Sequence, residues 1–92
     1  MNIFYSPGIM VKRSQTSQSL IQKERRIFAH NLAEARKQAD LTQDDLVKIT
    51  GLTQSFISKV ENAEANVSLD NANRLAFAVK QPLWKLLNPV EK

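Results

Sequence analysis

Cysteine is absent from the 92 residues of this chain. Disulfides, thiol nucleophiles and the usual thiolate zinc sites are thereby excluded, and the stability of a small core is left to helix packing or oligomerisation. Histidine occurs once, as His30, within a helical stretch that offers it no evident acid partner, so no nucleophile and base can be paired. An enzyme is not expected, nor any catalytic, cofactor or metal site. No apolar run approaches the roughly 20 residues that a bilayer crossing requires, and the N-terminus lacks the uninterrupted apolar stretch of a secretory signal. A cytoplasmic protein without a membrane partner is expected. At 42% hydrophobic residues the chain has enough apolar material for one compact domain and too little for two.

The formal charge of +4 is unevenly spread. Residues 1 to 39 hold Lys12, Arg13, Lys23, Arg25, Arg26, Arg36 and Lys37 against Glu24 and Glu34, a balance of +5 that leaves −1 for the remainder. A positive field over the first half suits a polyanionic partner, although the same charges also describe the solvated face of a helix.

Met1 to Val11 sets Ile3, Phe4, Tyr5, Ile9, Met10 and Val11 around a Ser6-Pro7-Gly8 turn signal, and Lys12 to Ser19 is polar. Residues 1–19 therefore read as an N-terminal extension and 20–92 as the folded domain. Ser19 with Gln22 can form a capping box, and apolar residues at 21, 28, 32, 35 and 39 predict a long first helix from about Leu20 to Ala39. Thr42 caps a second helix beginning at Gln43, with Asp44 and Asp45 favoured by the dipole at its start and Leu46, Val47 and Ile49 facing inward. Gly51 suits the left-handed backbone that ends a helix, and Thr53 caps a third helix from Gln54 to Asn62. There Phe56, Ile57 and Val60 form the buried stripe, leaving Gln54, Ser55, Ser58, Lys59 and Asn62 outside. Ala63 to Val67 reads as a loop. A fourth helix, from Ser68 or Leu69 to Val79, buries Leu69, Ala72, Leu75, Ala76 and Val79, and Pro82 opens a short fifth, Leu83 to Leu87, that Pro89 stops. Five helices without a central strand predict an all-α bundle.

Two short helices joined across a glycine, the second with a polar outer face, form the geometry that places side chains in a major groove. Leu41-Thr42-Gln43, Leu46, Gly51-Leu52-Thr53-Gln54, Ile57-Ser58, Val60-Glu61-Asn62, Ser68-Leu69 and Arg74-Leu75-Ala76 together resemble the Cro and lambda-repressor family, also called XRE-type regulators. The likeness spans Phe28 to Leu87 and implies a helix-turn-helix that binds double-stranded DNA. On that resemblance Gln43 is a phosphate clamp, Gln54, Ser55 and Lys59 read bases, and Arg36 bridges helix one to Glu61 while leaving donors for phosphate. Chemically, glutamine pairs bidentately with adenine and lysine with guanine, whereas Lys59 can also serve the backbone alone. Thr53 caps helix three before it does anything else, and Ser58 can approach a phosphate or a base.

The sequence departs from the family at Val47, where a small alanine is usual, and in Asn62-Ala63-Glu64-Ala65-Asn66, which lacks the common glycine and basic residues. Phosphate contact in that loop is left to backbone N–H groups and Asn66. Leu83, Trp84, Leu86 and Leu87 exceed what a short helix buries alone, and Leu83, Trp84 and Leu87 are the candidates for an interface. The resemblance favours a homodimer through this region, with two reading helices about 34 Å apart on a pseudo-palindromic operator and a repressor's role; Trp84 equally suits a cap on the core. A different setting is an antitoxin, which would neutralise a protein toxin and repress its own operon, with the apolar N-terminal arm facing the toxin.

Overall fold

Leu32, Leu46, Ile57 and Leu75 are fully enclosed, each contributed by a different helix. Those helices are α1 Ser17–Gln38, α2 Gln43–Thr50, α3 Gln54–Glu61 and α4 Leu69–Ala78, followed by α5 Leu83–Leu86. The computed structural model describes residues 17–89; the greater part of the expected extension, with the apolar arm assigned to a toxin, lies outside the described residues. No strand occurs among those described, and the fold is the all-α five-helix bundle that the periodicity predicts. Phe28, Leu32 and Ala35 of α1 recur at helical spacing and meet Ala72, Leu75, Ala76 and Val79 around Leu46, Ile57 and Val60. Each enclosed leucine or isoleucine contributes about 1.5–3 kcal/mol by leaving water. At the far edge Asn31 donates to the carbonyls of Leu86, at 3.0 Å, and Asn88, at 2.6 Å, tying α5 back to α1.

Three expectations are corrected. The first helix already includes Ser17, so Ser19 lies inside it and not at its cap position, and the Gln22 amide donates to the carbonyl of Ala63. Ile49 is 49% exposed and Leu69 72% exposed. Ile49 stands in the last turn of α2 and Leu69 is the first residue of α4 after its cap Ser68, where a helix end projects past the core that its middle covers. The outer helix limits also tighten: Asn62 and Leu87 are C-caps of α3 and α5.

Helix ends carry a feature that the residue types conceal. Asp40, Ala63 and Lys80 adopt φ of 64°, 62° and 63°, the left-handed region that glycine enters without steric cost. Each follows the C-cap of a helix and closes the same paired turn: Asp40 N to Lys37 O with Leu41 N to Arg36 O, Ala63 N to Val60 O with Glu64 N to Lys59 O, and Lys80 N to Phe77 O with Gln81 N to Ala76 O, all between 2.8 and 3.0 Å. Only α2 ends on a glycine, Gly51 at φ 79°. Lys80→Gly is therefore expected to stabilise the fold by about 0.5–1 kcal/mol, raising the melting temperature by a few degrees; a lower melting temperature would contradict this account of the turn.

Candidate nucleic-acid interface

The reading head is built by three short-range devices. Thr42 and Asp45 cap α2 reciprocally: the Asp45 N–H donates to Thr42 Oγ1 at 3.0 Å, and the Thr42 N–H donates to Asp45 Oδ2 at 2.8 Å. The α2–α3 turn is sealed by Thr50, whose hydroxyl donates to Leu46 O at 2.6 Å and accepts from the Leu52 N–H at 3.1 Å. Thr53 Oγ1 then accepts from the Phe56 N–H at 3.1 Å, fixing the start of α3. With Ile57 and Val60 buried and Phe56 packed against the core, Gln54, Ser55 and Lys59 stand exposed on the opposite face. Thr53 is exposed beside them, Ser58 is half-buried, and Asn66 is exposed in the following loop.

The backbone N–H of Thr42 holds the Asp45 carboxyl below its ordinary value, 3.8, with the Thr42 hydroxyl and more weakly Lys48 acting in the same direction. A depressed carboxyl contributes stability above its unfolded value and loses it as pH falls through the folded value. Asp45→Asn is accordingly expected to melt closer to wild type at pH 3 than at pH 7, as followed by circular dichroism; an equal difference at both pH values would reject the carboxylate's part in the cap.

A nearly enclosed polar cluster joins α1, α2 and α3. Arg36 Nε donates to Glu61 Oε2 at 2.8 Å and Arg36 Nη2 to Glu61 Oε1 at 3.1 Å, a bidentate pair whose side chains are 14% and 7% exposed. Arg36 Nη1 donates to the Leu41 carbonyl at 2.9 Å. The Glu61 hydrogen bond raises the guanidinium's already high pKa, outweighing the partial burial that opposes it. Gln43 Nε2 also donates to Glu61 Oε1, at 3.0 Å, a tie that sequence reasoning missed. The side chain expected on a phosphate is thus held against the brace, with its second amide hydrogen and its carbonyl oxygen outside that bond.

Leu83 and Trp84 lie in α5 and Leu87 is its C-cap, so the three residues expected at a dimer interface sit on one short element. Leu83 and Leu87 line a groove of about 410 Å³ together with Ile21, Phe28 and Leu69. Trp84 is 63% exposed, which removes it from the core. Phe77, 79% exposed, and Ile49 line a separate cleft with Pro82. Ile49 was expected to face inward, and its outward direction was not visible in the sequence.

The helix-turn-helix family model matches residues 32–76. Among similar proteins, the control protein C.SmaI of Serratia marcescens is 38% identical over 61 residues, 66% of this chain and 73% of that protein. The crystal structure of a hypothetical transcription factor, NHTF, from Neisseria superposes with a TM-score of 0.70 at 29% identity, covering 75% of this chain and 79% of that one. The restriction-modification controller protein C.AhdI of Aeromonas hydrophila superposes with a TM-score of 0.66 at 33% identity, covering 70% of this chain and 97% of that one. A capped helix pair across a left-handed glycine, a polar outer face on its second helix and these likenesses together establish that the chain belongs to the Cro and lambda-repressor (XRE-type) helix-turn-helix family of DNA-binding transcriptional regulators.

Proposed function

We propose that this protein is a homodimeric, sequence-specific regulator of the controller type, which binds a pseudo-palindromic operator and represses transcription from it. The observation that carries the reading is the exposed face of α3, Gln54, Ser55 and Lys59, fixed by the enclosed Arg36–Glu61 pair behind it. Similarity to control proteins supports the setting. Gln54, Ser55 and Lys59 enter the major groove and read base edges. Gln43, Thr53, Ser58, Asn66 and the remaining Arg36 donors meet the backbone, which sets orientation without reading sequence. Exposed Trp84, with Leu83 of the same short helix and its C-cap Leu87, supplies apolar surface for a two-fold interface.

Selection of bound sequences from random DNA, paired with sedimentation of the wild type and Trp84→Glu, tests this. Two inverted half-sites about 10 base pairs apart, a wild-type dimer and a monomeric Trp84→Glu are expected. A monomeric wild type or an asymmetric single site would overturn the dimer. A reporter driven from the selected site that does not fall when the protein is supplied would overturn repression.

A further inference from the structure

Gln22 lies outside the family-matched residues 32–76 and ties into them. Its Nε2 donates to the carbonyl of Ala63 at 3.1 Å across 41 positions of sequence, joining α1 to the loop behind α3. Ala63 sits at φ 62°, where a Cβ is disfavoured and glycine is usual. The turn bonds from Ala63 N to Val60 O and from Glu64 N to Lys59 O use its N–H and leave its carbonyl to Gln22. Arg26, His30 and Lys37 of α1 line one cleft with Asn62 and Ala63, together with Glu34 and Glu61, so the loop after α3 meets a side of the first helix where basic and acidic side chains balance. The loop Asn62 to Asn66 itself holds no basic residue and one acidic one, Glu64. Its approach to phosphates must depend on its shape, since it has no charge to draw them.

We infer that Gln22 is a positioning residue for DNA binding, its amide gripping the Ala63 peptide so that the loop keeps the shape in which Asn66 and the end of α3 meet the DNA backbone. The inference rests on the proposed docking of α3. Alanine enters the left-handed region less readily than glycine, so without the Gln22 bond the loop divides among conformers. Apparent affinity then falls by the fraction that remains competent. Because a phosphate contact carries no base information, operator and mismatched sites weaken by the same factor.

The test uses the full chain with the selected operator and a mismatched site, at a temperature where circular dichroism shows every variant folded. Gln22→Met keeps length and removes the donor; it is expected to weaken both sites about threefold to tenfold, the range expected for one lost hydrogen bond. Adding Ala63→Gly, which restores the left-handed turn by another route, should bring affinity back to within about twofold of the Ala63→Gly single variant. A Gln22→Met that binds as wild type, or a loss that Ala63→Gly leaves in place, overturns the inference. A wild type that selects no operator instead overturns the proposed function.

Discussion

Glu61→Ala is expected to lower the melting temperature by about 6–24 °C. The carboxylate accepts from Arg36 twice and from Gln43 once, and it is 7% exposed against a guanidinium 14% exposed. Removing the carboxylate leaves the part-buried guanidinium without its charged acceptor, at a cost of about 1.5–3 kcal/mol. In a domain of this size each kcal/mol moves the midpoint by roughly 4–8 °C. The exposed Asp44–Lys48 pair, 3.3 Å apart with side chains 61% and 74% exposed, is the internal control. Lys48→Ala should change stability by no more than about 0.5 kcal/mol. Replacing both members of the enclosed pair, Arg36→Met with Glu61→Leu, should recover much of the loss, because apolar side chains of similar volume need no partner. Thermal melts at neutral pH decide the matter, and a Glu61→Ala midpoint within a few degrees of wild type would show that the pair carries little of the stability.

What the amino-acid order reveals here divides by distance along the chain. The caps Thr42 and Thr53, the turn glycine and the stripes 28, 32, 35 and 72, 75, 76, 79 depend on neighbours within one or two turns, and all are readable from residue type and spacing. Direction fails at helix ends. Leu69 falls on the same stripe as Ala72 and Ala76, yet it is exposed because the first turn of α4 overhangs the core. Three left-handed helix ends escape notice because aspartate, alanine and lysine occupy positions where glycine would announce the turn.

Contacts between distant elements are further from reach. The pairing of Arg36 with Glu61 was implied by family resemblance, and its distance is 2.8 Å. The ties of Gln43 to Glu61 and of Gln22 to Ala63 follow no local pattern, since they depend on how α1, α2 and α3 cross. Both touch elements assigned to the proposed DNA contacts, the start of α2 and the loop behind α3. Sequence reasoning thus recovers the outline of the head and misses the polar ties that set its shape.

The double variant Gln54→Ala with Lys59→Ala is expected to lose its preference for the operator while keeping weak, salt-sensitive binding. Both side chains are exposed on α3, away from the core, so their removal should alter stability by only about 0.5 kcal/mol or less. A good bidentate contact discriminates by about 1–3 kcal/mol; two of them set the expected fall in operator preference at about 30-fold to 10⁴-fold. The proposed backbone contacts are left in place, since they are assigned to Gln43, Thr53, Ser58, Asn66 and Arg36, and binding that persists through them weakens linearly on a logarithmic salt scale. The single variants separate the two possible roles of Lys59. If it reads a base, Lys59→Ala relaxes the preference at one position and leaves the salt slope intact; if it meets a phosphate, the slope falls by about 0.9 and preference is unchanged. Operator and mismatch affinities measured across a salt series distinguish these outcomes, and unaltered selectivity in the double variant would remove the outer face of α3 from base reading altogether.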